Sequence, residues 1–571
     1  MKQNLDALRH SCSHVMADAV KRLFPDVKLG IGPSIEDGFY YDFDKKEGFT
    51  PEDLLSIEKE MKGIIKENLD FTQEELSKID ALKLFKDEPY KAGLINNLPG
   101  DKVSIFRHGK FFDLCKGPHV SNTKEIKAFK LLSIAGAYWH GIETNPMLQR
   151  IYGTCFTEKP DLEEFLRLRD EAKKRDHRKL GKELDLFSIH EEAGPGLVFY
   201  HPKGALIRML IEDYVKKEHL KRGYQIVMGP HILRSDIWVT SGHYEYYKEN
   251  MYIFKVDNEE YAIKPMNCPA HMLIYRSHIR SYRDLPIRFF ELGNVHRREK
   301  SGVLHGLLRV RGFTQDDAHI FCLPEQAEEE IKKVIDFVMD VMRVFGFKDY
   351  KIDLSTRPPK YIGSLEMWDR ATNALRKALD AKDMKYDINE GEGAFYGPKI
   401  DIMVKDALGR PWQCATVQCD FALPERFDLE YVTKEGKKER PVMLHRVVLG
   451  SVERFMGTLI EHYAGSFPVW LSPEQAVIIP ITDRSHDYAD EIYDVLQEKG
   501  IRVFVDKRNE KLQYKIREAE LQKIPYSIIV GDKEKENRTI SLRARREGNI
   551  GTLSLEEFLN RVETEIQEKK L

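Results

Sequence analysis

The sequence predicts a multidomain protein of mixed α+β and α/β class, in which the largest unit is a mainly antiparallel sheet flanked by helices. Three observations carry that expectation. A chain of 571 residues is too long for one hydrophobic core and suggests roughly three domains. Between residues 187 and 470 the strand-like segments are short and often separated by hairpin loops, without the regular alternation of a doubly wound sheet. After residue 471 come apolar, β-branched runs, QAVIIPIT, IRVFVD and YSIIVG, separated by helical stretches, the pattern of a parallel sheet with helices.

Composition narrows the function classes. A hydrophobic content of 42%, a charged content of 32% and a net charge of −3 describe a soluble globular protein. They exclude a wholly basic nucleic-acid binder but leave room for local basic patches. Seven cysteines without a C-x-x-C argue for a reducing compartment rather than a disulfide framework. The start, MKQNLDALRHSCSHV, has no apolar signal region, and no run of 18 apolar residues follows, so the expected location is cytoplasmic.

Residues 1–158 form the first expected unit. It opens with a helix apolar at Leu5, Leu8, Val15, Ala19 and Leu23 and closed by Pro25. His10 and His14 are four apart, hence one turn apart on one helical face. Cys115 and His119, in DLCKGPHV, repeat the spacing. Two such pairs suit a four-ligand metal site, a polar pocket in which imidazoles position a water, or core residues. IGPSIEDGFYYDF between them reads as a turn leading into a strand. Residues 159–186 then read as a solvated connecting helix, with opposite charges at i,i+4 such as Glu163 with Arg167 and Glu171 with Arg175.

The third expected unit, 187–470, contains HRREKSGVLHGLLRVRGFTQDDAHIFC, residues 296–322, which reads as two short strands joined by a basic loop. Alternation puts Arg297 and Glu299 on one face of the first strand, and Gln315, Asp317 and His319 on one face of the second, which also carries Arg309, Arg311 and Asp316. A half-buried hairpin would show apolar residues there; a charged face suits either solvent or a polyanion held beside an amino group. Cys268, His319 and His445 are candidate zinc ligands, although so widely separated that spacing alone is weak support. No GxGxxG and no Walker A occurs, so any nucleotide is held by other means.

Five blocks taken in order carry a resemblance. GYQIVMGP, the hairpin HRREKSGVLHGLLRVRGFTQDDAHIF and VLGSVERF resemble the three signature motifs of the class II aminoacyl-tRNA synthetases. IKPMNCPAHM and GEGAFYGPKID resemble blocks peculiar to the bacterial-type threonyl-tRNA synthetases, a resemblance that spans essentially the whole chain. It implies an antiparallel class II core that activates threonine with ATP and Mg2+ and transfers it to the terminal ribose of tRNA(Thr), in a homodimer with Pro230 at the interface.

By that resemblance Arg297 is the α-phosphate arginine, Arg454 grips the far end of ATP, and Glu299 accepts from the adenine amino group. Fixed guanidinium groups and magnesium stabilise charge developing on the phosphates. Cys268, His319 and His445 would hold one Zn2+ with open positions for the amino and hydroxyl groups of threonine, which rejects valine. Asp317 would hold the amine. Met266, Gln315, Tyr396, Lys399, Gln413, Thr416 and Gln418 match pocket and ATP-site positions, and His243 matches a histidine near the accepting ribose. Cys322, Cys414 and Cys419 have no implied role and are expected as buried thiols.

Serine differs from threonine by one methyl, worth roughly 1–3 kcal/mol or about 10–200-fold, so a second, hydrolytic site is required. The resemblance makes 1–158 that editing domain, with His10, His14, Cys115 and His119 as a water-positioning pocket and Tyr41, Lys91 and Asp113 nearby. It makes 471–571 an anticodon-binding domain, where KRNEKLQYKIREAELQK and LRARREG supply basic density and Asn509, Glu534 and Arg543 match anticodon contacts. Many family members carry a ubiquitin-like domain ahead of the editing helix; this sequence begins almost directly at that helix. Two rival readings are weaker. A non-catalytic RNA-binding paralogue would be expected to lose Arg297, Glu299, Arg454 or the zinc set, and a metal-dependent hydrolase leaves the second and third motifs unexplained.

Overall fold

The computed structural model describes residues 2–142 and 144–571, in two compact units, 1–171 and 172–571.

In the first unit the helix Lys2–Leu23 lies against an antiparallel sheet with Gly38–Asp44, Met147–Phe156 and Ala128–Tyr138 as its long strands. The helix is buried nearly all round: Leu8, Val15 and Ala19 sit in the core as their spacing predicts, and Ser11, Ser13 and His14 are buried with them, whereas Leu23 is exposed. Polar residues so deep need partners. Ser13 donates to the carbonyls of His10 and Gly32, and Asp18 accepts from Arg22 and lies 3.2 Å from the His108 ring. A smaller three-stranded sheet, Thr72–Ser77, Lys102–His108 and Phe111–Leu114, ends beside Cys115.

The expected connecting helix is two helices, Lys159–Arg175 and His177–Glu183. Asp176 breaks it because its side chain accepts from the Arg178 N–H as an N-cap. The second piece is not solvated, since His177, Leu180 and Gly181 are buried. Arg167 pairs with Glu164, three residues away, rather than with Glu163.

The second unit contains an eight-stranded sheet in the order Gln225–Ile226, Ile287–His296, Gly312–Cys322, Val442–Ser451, Pro411–Asp420, Lys399–Lys405, Tyr350–Ser355, Asp387–Asn389. Every pairing except the outermost at each edge is antiparallel. One face is covered by Ala327–Val344, Leu365–Asp380 and Pro202–Lys221, which form the largest core with the sheet. The other face is left open along two cross-strand rows. One runs Phe289, His319, His445, Gln418, Lys399; the next runs Glu291, Asp317, Val447, Thr416, Asp401. Directly paired residues share a face, so register alone brings distant residues together.

The smaller sheet near the C-terminus has the order Val503–Val505, Ala476–Pro480, Tyr526–Val530, Thr539–Ala544, Gly548–Ser554. Its first three strands are parallel, as expected, but the last two are antiparallel. The link from Ala544 to Gly548 is a tight turn, which joins only antiparallel strands. Among the described residues no helix is long and apolar enough to cross a membrane.

Candidate active site

A cavity of about 460 Å3 opens over the two polar rows of the large sheet. Twelve of the fifteen catalytic, substrate and metal candidates line it: Met266, Cys268, Arg297, Gln315, Asp317, His319, Tyr396, Gln413, Thr416, Gln418, His445 and Arg454. Glu299, His243 and Lys399 are not in its lining.

At one end the ligand atoms of Cys268, His319 and His445, all buried, lie within 4.8 Å of one another. His319 and His445 are opposed on adjacent strands, and Cys268 enters from the first turn of the helix Cys268–Arg276. The outer Nε2 of His445 is 2.8 Å from a carboxylate oxygen of buried Asp420, which can only accept. His445 therefore carries its proton there and turns the Nδ1 lone pair inward. One thiol and two imidazoles converging beside an open cavity form a donor set that fits zinc with three protein ligands and a free position. Asp317 stands next to it, its carboxylate accepting from the Asn267 amide at 3.0 Å. Asn267 reaches it by crossing Gly293, where a Cβ would lie 2.4 Å from the amide.

The other end is cationic. Arg297 donates to the Pro265 carbonyl and lies over the Phe313 ring, 5.2 Å from its centroid. Arg454 donates to the Leu308 carbonyl. Neither guanidinium has an ion-pair partner among the described residues, and burial, with Arg297 and Arg309 nearby, holds the Arg454 pKa below its ordinary value. Two unneutralised guanidinium groups facing one cavity are built to meet an anion.

Arg454 is placed by the turn before it. Gly450 has φ +80°, and a Cβ there would meet the Cys414 carbonyl oxygen at 2.6 Å. The carboxylate of Asp316, on the buried face, accepts from the backbone N–H groups of Val448, Leu449 and Gly450. Ser451 then caps the helix Val452–Tyr463 by accepting from the Arg454 N–H.

The strand before Arg297 ends at His296, and the Glu299 N–H bonds back to the Arg297 carbonyl. Alternation therefore does not govern that pair, and Glu299 is instead held by Arg309 at 3.0 Å. Arg309 and Arg311 likewise precede the strand Gly312–Cys322 rather than lie in it. His243 is buried, its Nδ1 2.8 Å from the Ser241 hydroxyl, its ring edge-on to Phe395, and its Nε2 without a hydrogen-bond partner among the described residues. Burial lowers its pKa to about 3, so the ring is neutral at pH 7. Lys399 pairs with Asp401.

Asp401 was not legible as a site residue, yet it also accepts from Gln413 and Thr416, at 2.7 and 2.9 Å. Asn267, Asp316, Asp420 and His271 were missed for the same reason: each acts on a cavity residue distant in sequence, and no local pattern records that; Glu291 acts one step further back, on His271. Cys322, Cys414 and Cys419 are buried, as expected.

In the first unit His10, His14, Cys115 and His119 converge, with ligand atoms within 4.8 Å of one another. The Cys115 sulfur lies 3.3 Å from His10 Nε2 and 3.2 Å from His119 Nε2. Ser11 donates its hydroxyl proton to the Ala7 carbonyl, so it accepts from His119 Nδ1 and leaves the His119 Nε2 lone pair facing the thiol. Tyr41 donates to Asp113 at 2.6 Å, buried Lys91 pairs with the same carboxylate, and His14 is 3.6 Å from it. A third donor group, Asp176, His177 and Glu461, has no coordinating imidazole nitrogen to offer: His177 Nδ1 bonds Glu461 and Nε2 accepts from the Leu307 N–H.

Glu534 accepts from the Gly531 N–H after the strand Tyr526–Val530, Arg543 faces Ser527 at that strand's start and pairs with Glu520, and Asn509 is exposed in a loop. The basic runs are less available than their composition predicts. Arg545 is engaged by the Ser466 and Phe467 carbonyls, and buried Lys515 by the Asp506 carbonyl.

Family comparisons agree with this geometry. Residues 252–463 match the tRNA synthetase class II core domain (G, H, P, S and T), 475–565 an anticodon binding domain, and 103–152 the threonyl and alanyl tRNA synthetase second additional domain. The threonine–tRNA ligase of Citrifermentans bemidjiense is 59% identical over 99% of this chain and 89% of its own length, and that of Acetivibrio thermocellus 57% over the same shares. Among solved structures, the RNA binding domain of threonyl-tRNA synthetase from Cryptosporidium parvum superposes with a TM-score of 0.66 at 43% identity, covering 68% of this chain and 98% of that one. A putative threonyl-tRNA synthetase from Aeropyrum pernix gives 0.62 at 31%, covering 69% and 97%. The chain belongs to the threonine–tRNA ligase family, with a class II synthetase core.

Proposed function

We propose that this protein activates L-threonine with ATP to threonyl-adenylate, transfers the threonyl group to tRNA(Thr), and hydrolyses mischarged seryl-tRNA(Thr) in its N-terminal unit. The observation that carries the synthetic half is one cavity with two unpaired arginines at one end and a thiol–bis-imidazole donor set at the other.

Arg297 and Arg454 bind the phosphates of ATP, which enters with Mg2+, and stabilise charge as the threonine carboxylate attacks the α-phosphate. Glu299 accepts from the adenine amino group, and Lys399, held by Asp401, is assigned to the same ATP site. Asp317 receives the threonine ammonium. Bound zinc would add open positions that recognise the amino and hydroxyl groups together, so a valine lacking the hydroxyl is refused. Met266, Gln315, Tyr396, Gln413, Thr416 and Gln418 wall the pocket, with Tyr396 donating to Gln418 at 2.6 Å. His243, neutral and with a free Nε2, is the group assigned to the accepting ribose hydroxyl.

In the editing pocket His10, His14, Cys115 and His119 position a water against the seryl ester, while Tyr41, Lys91 and Asp113 form a polar floor. The pocket works without a metal in this reading. Asn509, Glu534 and Arg543 contact anticodon bases. The domain limits that follow are 1–158 for editing, 159–186 for the linker, 187–470 for catalysis and 471–571 for the anticodon. Met228, 83% exposed, with Ile226 and Ile232 beside Pro230, supports a homodimer through this segment, and the compartment proposed is the cytoplasm.

The test is amino-acid-dependent ATP–pyrophosphate exchange by zinc-loaded protein, paired with deacylation of seryl-tRNA(Thr). Exchange should be strong with threonine, weaker with serine and near background with valine. No exchange with threonine would end the synthetase assignment. A His10→Ala/His14→Ala variant that still clears seryl-tRNA(Thr) at the parental rate would end the editing assignment.

A further inference from the structure

Behind His319 runs a chain of buried polar groups that the synthesis reaction does not itself require. His319 Nδ1 is 2.8 Å from Nδ1 of His271, His271 Nε2 is 3.1 Å from one oxygen of Glu291, and the other oxygen of Glu291 accepts from Lys264 Nζ at 2.8 Å. Lys264 and His271 are fully buried and Glu291 nearly so. The four side chains come from four different segments. Such a chain is costly to bury unless each proton has a defined place.

We infer that Lys264, Glu291 and His271 form a positioning relay that fixes the tautomer of His319 and so turns its Nε2 lone pair toward Cys268 and His445. A carboxylate only accepts, so His271 Nε2 carries a proton, and with the ring neutral its Nδ1 is left to accept. His319 must then donate from Nδ1, which leaves Nε2 unprotonated on the donor-set side. Burial pushes the Glu291 carboxyl up, but hydrogen bonds from His271 and Lys264 more than offset it and keep the group ionised. Lys264 makes the relay directional: as a donor only, it requires an acceptor atom from residue 291. The inference rests on the zinc reading of the donor set.

Glu291→Gln is isosteric and inverts the relay. Lys264 keeps the amide oxygen, the amide NH2 faces His271, His271 becomes the donor toward His319, and a proton is forced onto His319 Nε2. Zinc affinity, measured by chelator competition and by the visible spectrum of cobalt-loaded protein, should fall about 10–100-fold. Adding Lys264→Met frees the amide to turn its oxygen toward His271, so the double variant should regain affinity, which no loss of packing would do. Far-UV circular dichroism and Tm of the whole chain serve as the folding control. Where Glu291→Gln does not fold, His271→Asn, whose amide oxygen replaces Nδ1, should retain zinc within a few-fold while His271→Leu loses it. Parental protein that binds no zinc would overturn the zinc reading itself. Zinc-binding parental protein with an unaffected Glu291→Gln, a double variant no better than the single, or His271→Leu equal to His271→Asn would overturn the relay alone.

Discussion

His319 Nε2 and His445 Nδ1 face each other 3.1 Å apart across two adjacent strands, while their outer nitrogens are held by His271 and Asp420. With both outer nitrogens donating, two lone pairs oppose each other beside the Cys268 sulfur. Bound zinc, held by Cys268, His319 and His445, would remove that repulsion.

Stripping metal with a chelator should therefore reduce threonine-dependent ATP–pyrophosphate exchange at least a hundredfold, and zinc should restore it. Seryl-tRNA(Thr) deacylation, measured on the same samples, should not change. Parallel loss of both activities would place the metal dependence outside the Cys268, His319 and His445 group.

Gly450→Ala tests whether the turn before the helix Val452–Tyr463 positions Arg454. An alanine there is strained by φ +80° and by the Cys414 carbonyl at 2.6 Å, at a cost of about 1–3 kcal/mol. The expected outcome is a lower Tm and a KM for ATP raised about tenfold, with the KM for threonine little affected. Equal rises in both constants would mean a general collapse of the cavity rather than a displaced arginine.

The editing pocket has a pH signature. Burial lowers the His119 pKa to about 3 and raises the Cys115 thiol to about 11, and burial lowers His10 and His14 as well. From pH 7 upward all three rings and the thiol are neutral, so deacylation corrected for spontaneous hydrolysis should be flat from about pH 7 to pH 9. A rate rising tenfold per unit through pH 8 would reveal a thiolate nucleophile. The same shifts act on stability. Below its ordinary 6.5 the unfolded His119 binds a proton that the folded ring refuses until about 3. The contribution is whole above pH 6.5 and is lost as pH falls toward 3, so acid unfolding of this unit should begin below pH 6.5.

How far the site could be read in advance depended on whether a residue's role is local. Gly450, Ser451 and Arg454 belong to one short block, and the turn-then-helix they form follows from a glycine at positive φ and a capping serine. His10 and His14 share a helix, so their common face follows from 3.6 residues per turn. Arg297 with Glu299 shows the limit: two-residue alternation holds only inside a strand, and the strand stops at His296.

By itself the sequence determined the motif blocks, the split into differently patterned units and the types of donor available for chemistry, because periodicity, turn residues and side-chain identity are carried along the chain. The tertiary structure decided which of those donors meet. His319 faces His445 only through the register of antiparallel strands, Asp401 gathers Gln413 and Thr416 only after those strands pair, and Asp316 holds the Gly450 turn from the opposite face of the sheet. The physical reason is that buried polar groups must be satisfied, and in this fold their partners come from segments with no proximity in sequence.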